Sequence, residues 1–225
     1  MTSAYIRLAG PLQSWAQARV TGNVVRTGPR PTRSAIEGLL AGALGHHRGE
    51  WPDWLSHVDI SVRTDRPGVM IDEYQTINPR PEDQHFQKRL LQMLGNRPSK
   101  VVSFTPDGQS KTSIVRRTYL ADAEFIVQIR DVDHLALLCS ALTNPVFSPY
   151  LGRKAFPPTF PFYLGRGTDD LLRTLPPRTT DATRVAPLRI DQLLPDSSGQ
   201  WELTNPATLE GEDWYAEVRS RLRRA

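Results

Sequence analysis

Tyr119-Leu120-Ala121-Asp122-Ala123-Glu124-Phe125-Ile126-Val127-Gln128-Ile129 sets Tyr119, Ala121, Ala123, Phe125, Val127 and Ile129 at every second position, with Asp122, Glu124 and Gln128 in register between them. A period of two puts the first set on one face of an extended chain and the second on the other, so the segment predicts one long strand. Upstream, Val58, Ile60 and Val62 alternate in the same way and run through Asp65-Arg66-Pro67-Gly68 into Val69-Met70-Ile71, which predicts a strand, a turn and a hairpin. Further back, Tyr5-Ile6-Arg7-Leu8-Ala9-Gly10-Pro11-Leu12-Gln13-Ser14-Trp15 reads as an apolar strand. It breaks at Gly-Pro into a polar loop carrying an exposed-type indole.

Two helices lie between these strands. Ser34 with Glu37 three residues later makes a capping box, and Ile36, Leu39, Leu40, Ala43 and Leu44 form one stripe that ends at Gly45. The second helix spans roughly 133–142, with Leu135, Leu138, Cys139 and Leu142 on one face, and stops before Asn144-Pro145. The order strand, helix, strand pair, strand, helix is much of a ferredoxin-like βαββαβ arrangement, an α+β class. Residues 76–117 interrupt it with polar, basic sequence, and a long insertion in a compact domain is functional or disordered. After Leu142 the chain is rich in proline, which suits a small loop-dominated region packed on the first domain, and 214–224 predicts a helix with a basic end.

A chain of 225 residues can bury a full core. Its net charge of +4 and pI near 9.5 favour polyanionic partners only mildly, but the charge is unevenly spread. Residues 76–117 hold eight basic and three acidic side chains, a net of +5, so the rest of the chain carries −1. Of 28 basic residues 24 are arginine, whose planar fork suits phosphate recognition better than an ammonium does.

The chemistry of hydrolases and NTPases is missing. No phosphate-cradling G-x-x-x-x-G-K-[ST] loop and no G-x-S-x-G elbow occur. One cysteine, Cys139, and five histidines without ligand spacing predict no metal site, no disulfide and no cofactor. No apolar run approaches the ~18 residues that would span a bilayer, so a cytoplasmic protein without membrane contact is expected. Metal-independent RNA cleavage would need a base such as Tyr5, Tyr74, Tyr119, Tyr150, His47 or His85 with a lysine to steady the developing charge. Spacing singles out no such set.

Binding is better supported. The strand ending at Trp15, a basic loop and the helix entry at Pro31-Thr32-Arg33-Ser34 form a platform for an anionic, base-bearing ligand such as RNA. In 149–158, Gly152 lets backbone approach a phosphate, Arg153 and Lys154 neutralise it, and Tyr150 or Phe156 can stack a base.

In order along the chain, Leu8-Ala9-Gly10-Pro11-Leu12-Gln13-Ser14-Trp15, Pro31-Thr32-Arg33-Ser34 with Gly38-Leu39-Leu40, Tyr74-Gln75-Thr76, Arg117-Thr118-Tyr119-Leu120-Ala121-Asp122-Ala123-Glu124-Phe125, and Pro145-Val146-Phe147 to Tyr150-Leu151-Gly152-Arg153-Lys154 resemble the CasD family, a subunit of the type I-E CRISPR surveillance complex Cascade. The resemblance runs from residue 4 to about 160 and implies a ferredoxin-like, RRM-related domain of the repeat-associated RNA-binding (RAMP) superfamily. That domain would span 1–160 with a thumb-like hairpin insertion at about 76–117, followed by a small region, 161–225. It further implies a subunit that caps the 5′ handle of the CRISPR RNA, contacts the backbone subunit and the large PAM-reading subunit, and meets target DNA only through the complex.

By that resemblance, Gln13, Ser14 and Trp15, the helix-entry residues Arg26, Arg30, Thr32, Arg33 and Ser34, and Tyr150, Gly152, Arg153 and Lys154 are handle-binding candidates, with Arg80, Arg116 and Arg117 on or at the base of the thumb. In another CRISPR subtype a related subunit cuts precursor RNA itself. In type I-E systems that cut belongs to another subunit, so a non-catalytic role is expected here, with metal-independent endoribonuclease as the alternative.

Overall fold

The computed structural model describes residues 2–15, 24–77, 113–179, 188–194, 198–203 and 208–223. Its strands are β1 (Thr2–Ala9), β2 (Leu12–Gln13), β3 (Val24–Val25), β4 (Asp59–Arg66), β5 (Val69–Ile77), β6 (Ser113–Ala121), β7 (Glu124–Arg130), β8 (Tyr163–Thr168), β9 (Arg178–Thr179), β10 (Leu188–Leu193), β11 (Ser198–Leu203) and β12 (Leu209–Glu210). Its α-helices are α1 (Arg33–Leu44), α2 (Leu135–Thr143), α3 (Leu171–Thr174) and α4 (Gly211–Arg221), with a 3-10 turn at Asp53–His57.

The principal sheet has the order β11-β10-β4-β7-β1-β8, and every neighbouring pair in it is antiparallel. Within it β1, α1, β4, β7, α2 and β8 follow one another as strand, helix, strand, strand, helix, strand, with β5 and β6 inserted between β4 and β7. Ala4, Ile6 and Leu8 of β1 and Phe125, Val127 and Ile129 of β7 pack with Ile36 and Leu40 of α1 and Leu138 and Leu142 of α2. On the other face, Tyr5, Ile126 and Ile190 pack with Leu171 and Leu172 of α3 and Trp214 and Val218 of α4. Both faces of the sheet are therefore covered, and residues beyond 160 supply three of its six strands and one of its two helical layers. The boundary at 160 implied by the resemblance divides this sheet, whose two ends, β8 on one side and β10 with β11 on the other, come from beyond it.

The second face carries buried charge. Glu124, 1% exposed, accepts from Arg7 Nε at 2.6 Å and from Arg66 Nη2 at 2.9 Å, with Arg178 Nη2 at 3.6 Å. Beside it, Arg63 pairs through Nε and Nη2 with both carboxylate oxygens of Asp65 and donates to the carbonyls of Leu172 and Leu175. Desolvating such ions is costly, and the cost is offset only where geometry and hydrogen bonding are complete. Burial alone would raise the Glu124 pKa, but the hydrogen bond and charge of Arg7, with Arg178 and Arg66, hold it below the ordinary glutamate value.

The long alternation at 119–129 is two strands rather than one. The chain leaves β6 at Ala121, turns at Asp122 with φ 53° and enters β7 in the other sheet. The neighbouring strand turns at the same level, where Gly68 has φ 71°. A Cβ at Gly68 would lie 2.5 Å from the Ala121 carbonyl oxygen, so the corner admits only glycine. Consequently Pro67-Gly68 makes no hairpin between β4 and β5. β4 pairs with β7, and β5 pairs with β6 from Val69↔Ala121 to Ile77↔Ser113. The insertion expected at 76–117 thus opens from the far end of a paired ribbon; 78–112, Arg80 included, lie outside the described residues.

The helix ends also shift. Thr32, not Ser34, caps α1 by accepting from Ala35 N, and Glu37 pairs with Arg33 at 2.7 Å instead of closing a capping box. Gly45, with φ 89°, ends the helix as its composition demands. Asp131 Oδ1 accepts from the amides of Asp133 and His134 and so opens α2 two residues after the expected start.

Replacing Glu124 with Gln leaves the Arg7 guanidinium buried without its counter-charge and should lower the unfolding free energy by about 3 kcal/mol. Because the folded pKa is depressed, the stabilisation is complete above the ordinary glutamate range and disappears as pH falls through the depressed value. Urea titrations of wild type and E124Q should therefore differ at neutral pH and converge in acid.

Candidate nucleic-acid interface

The second sheet is built on β6, which pairs with β5 along one edge and with β2 and β3 along the other. Opposed residues share a face. Glu73↔Arg117 and Ile71↔Tyr119 therefore lie on one side, and Tyr74↔Arg116 and Asp72↔Thr118 on the other.

On the first side Tyr119 is the hub. Its ring is buried edge-on against Phe156, with centroids 5.0 Å apart, and its hydroxyl donates to Glu73 Oε2 at 2.6 Å. Gln75 Nε2 donates to the same oxygen at 2.8 Å. The Arg153 guanidinium lies 5.4 Å from the Tyr119 ring centroid, a cation–π distance, and Arg153 Nε stands 3.5 Å from Ser14 Oγ. Arg117 Nε is buried and finds no hydrogen-bond partner among the described residues. Burial and then the bond to Glu73 push the Tyr119 pKa up, partly opposed by Arg117 and Arg153. The hydrogen bonds of Tyr119 and Gln75 pull that of Glu73 down. Tyr119 is thus a neutral donor and Glu73 a carboxylate at neutral pH.

The 150–156 loop is fastened to this sheet by backbone. Ser14 N donates to Leu151 O at 3.0 Å, Leu151 N to Phe156 O at 2.8 Å and Phe156 N to Arg153 O at 2.9 Å. Gly152 has φ 82°, and a Cβ there would sit 1.6 Å from the Ser14 carbonyl oxygen. The glycine serves this protein contact, not the approach of a phosphate that its sequence context suggested. Tyr150, 42% exposed, and the exposed Lys154 flank it.

Several expected binding residues do other work. Trp15 is 1% exposed, and its Nε1 donates to Gln13 Oε1 at 3.0 Å. Gln13 is equally buried and donates to the carbonyls of Leu8 and Ala123. The indole read as exposed is a core side chain, because its amide and its N–H both find partners inside, the former on Thr27 Oγ1 at 2.6 Å. Arg33 donates to the carbonyls of Leu193, Ser56 and Val58, Arg30 pairs with Asp191 at 2.6 Å, and Thr32 is spent on the helix cap. The two arginines join the entry of α1 to β10 and the 3-10 turn. Ser34 and Arg26 are exposed.

The structure therefore brings Ser14, Arg117 and Arg153 together, sets Tyr150, Gly152 and Lys154 on the loop beside them, and puts Arg116 on the opposite side of the ribbon. Two participants were missed, Tyr119 and Glu73. The parity of 117 and 119 around Thr118 places Arg117 and Tyr119 on one face, but only strand pairing reveals that Glu73 lies opposite. Tyr74, 58% exposed, stands across from Arg116 on the far side. Among the described residues no group of three or more histidine, cysteine or carboxylate side chains is placed to hold a metal, and no helix is long and apolar enough to cross a membrane.

The chain is a CRISPR-associated protein by sequence: the model of the family described as CRISPR-associated protein (Cas_Cas5) matches residues 5–200, and the chain belongs to that family. Among individual proteins, it is 32% identical over 167 residues to the CRISPR system Cascade subunit CasD of Escherichia coli strain K12, covering 71% of this chain and 69% of that one. In structure it is similar to a chain of a CRISPR RNA-guided surveillance complex, with a TM-score of 0.70, 25% identity and coverage of 97% and 98% of the two chains. A second similar structure, described as a crystal structure of a Cas protein, gives a TM-score of 0.58 at 26% identity over 93% of this chain and 98% of that one.

Two substitutions separate packing from binding roles here. Trp15→Ala should cost about 3–5 kcal/mol in denaturant unfolding, as emptying a core site does, whereas an exposed stacking residue would cost almost nothing. Gly152→Ala forces both a left-handed Cβ, at about 1–2 kcal/mol, and a collision with Ser14. Calorimetry should show a lower Tm, and limited proteolysis should cut within 150–156.

Proposed function

We propose that this chain is an RNA-binding subunit of a type I-E Cascade complex, in the cytoplasm, that caps the 5′ handle of the CRISPR RNA and does not cut it. The observation that carries this reading is the convergence of Arg117, Arg153 and Ser14 beneath a loop bearing Tyr150 and Lys154. Single-stranded RNA is held by phosphate neutralisation, stacking and base-edge hydrogen bonds, and this rim offers all three. The likeness to the CasD subunit extends the reading to its partners: the backbone subunit, the large PAM-reading subunit, and target DNA through the complex. The βαββαβ core, with strand order β8-β1-β7-β4, supports the name ferredoxin-like.

Two of the tyrosines, Tyr119 and Tyr5, support binding over cleavage. Tyr119 holds its proton more firmly than an ordinary phenol. Tyr5 does so more strongly, being buried and near Asp169, and it donates to Thr168 O at 2.7 Å. Neither is poised to deprotonate a 2′-hydroxyl at neutral pH.

Labelled CRISPR repeat RNA incubated with the purified chain in EDTA should be bound and left whole. The logarithm of affinity should fall with the logarithm of salt by about 0.7 per phosphate neutralised. The Arg117→Ala/Arg153→Ala variant should bind about tenfold more weakly with a shallower slope. One discrete cut would instead make this the processing endoribonuclease.

A further inference from the structure

A carboxylate in a phosphate-binding rim is a liability unless it has a task. Glu73 lies directly opposite Arg117 in the β5–β6 register, yet no ion pair joins it to Arg117 or Arg153 among the described residues. Both of its hydrogen bonds, from Tyr119 and from Gln75, fall on Oε2. They fix the carboxyl plane and leave Oε1 without a hydrogen-bond partner among the described residues. Arg117 opposite it is only half-buried and enters no ion pair among the described residues, and its positive charge acts on Glu73 together with that of Arg153. A fixed acceptor beside a half-buried guanidinium that has no ion-pair partner suits a ligand that carries both a donor and an anion.

A nucleotide is such a ligand. We propose that Glu73 Oε1 accepts the exocyclic amino hydrogen of one nucleobase while Arg117 meets phosphate, so that Glu73 is a specificity-determining residue that selects amino-bearing bases against uracil. This rests on the RNA-binding reading above. Cytosine offers its N4 amino group to a carboxylate, whereas uracil turns a carbonyl oxygen toward it at the same position. That carbonyl would leave Oε1 unpaired and facing another lone pair, a penalty larger than a missing contact. With glutamine at position 73 the amide oxygen takes the two donors and the NH2 stands where Oε1 stood, so it donates to uracil's carbonyl and opposes cytosine's amino group.

Oligo(C) and oligo(U) RNAs of about ten nucleotides, within the range of single-domain sites, make the test with the full chain. Wild type should bind oligo(C) about tenfold more tightly than oligo(U). Glu73→Gln should reverse the preference in favour of oligo(U), and Glu73→Ala should bring the two within about twofold. Unchanged thermal unfolding of both variants guards against a merely structural effect. Equal binding of the two RNAs by wild type, or a preference for oligo(C) that survives Glu73→Gln or Glu73→Ala, overturns the role of Glu73. If that binding is still lost in Arg117→Ala/Arg153→Ala, the RNA-binding reading stands without it. Failure of wild type to bind either RNA overturns both.

Discussion

The buried carboxylate of Glu124 is the constraint around which the structure is arranged. It stands at the first residue of β7, immediately after the chain crosses from one sheet to the other. Arg66, which reaches it, is the last residue of β4, immediately before the neighbouring strand makes the reverse crossing. Arg7 comes from β1, and Arg178 from the segment that packs over the second face. Four separate stretches of chain are thus referred to one point. An incomplete set would leave unpaired ions under Trp214, whose ring lies 5.7 Å from the Arg7 guanidinium carbon. Packing alone tolerates small slips, but such a cluster does not.

That arrangement decides what the candidate site can be. With β4 and β7 locked at the corner, β5 and β6 continue as a ribbon whose register follows from Val69↔Ala121 onward. The register, in turn, is what sets Glu73 against Arg117. On the opposite edge β2 holds Leu12 and Gln13 against β6, and the next residue, Ser14, receives the 150–156 loop with no room for a side chain at Gly152. The arginines that face the rim are therefore carried on two rigid pieces meeting at Tyr119.

Where periodicity alone governs, the sequence is transparent. The α1 stripe ends at Gly45, α2 follows from its leucines, and the alternation at 119–129 correctly assigns extended backbone. It does not reveal the break at Asp122, because a left-handed residue leaves the period of two undisturbed while turning the chain into another sheet. Nor does it reveal that Glu124 and Gln128 are buried. Their polarity signals a solvent face, and only the helices contributed after residue 160 turn that face into a second core. Trp15 was misread for a related reason: a tryptophan in a polar loop has the composition of a stacking platform, and its burial depends on Thr27 and Gln13 closing over it. Of the site, the basic residues were legible and their sorting was not, since Arg33 and Arg117 differ only in what tertiary neighbours they meet.

The edge strand β8 has a further consequence. At Arg166 its backbone exchanges two hydrogen bonds with Arg223, N to O at 2.8 and 2.9 Å, and Leu222 packs over Gly165 and Gly167. The segment after α4 thereby occupies part of the rim that an incoming strand of another molecule would use. A sheet margin left open is a template for sticking to its own kind. Here the chain supplies its own stopper, and because Leu222 is also part of the second core, the packing that holds α4 on the sheet also closes part of its margin.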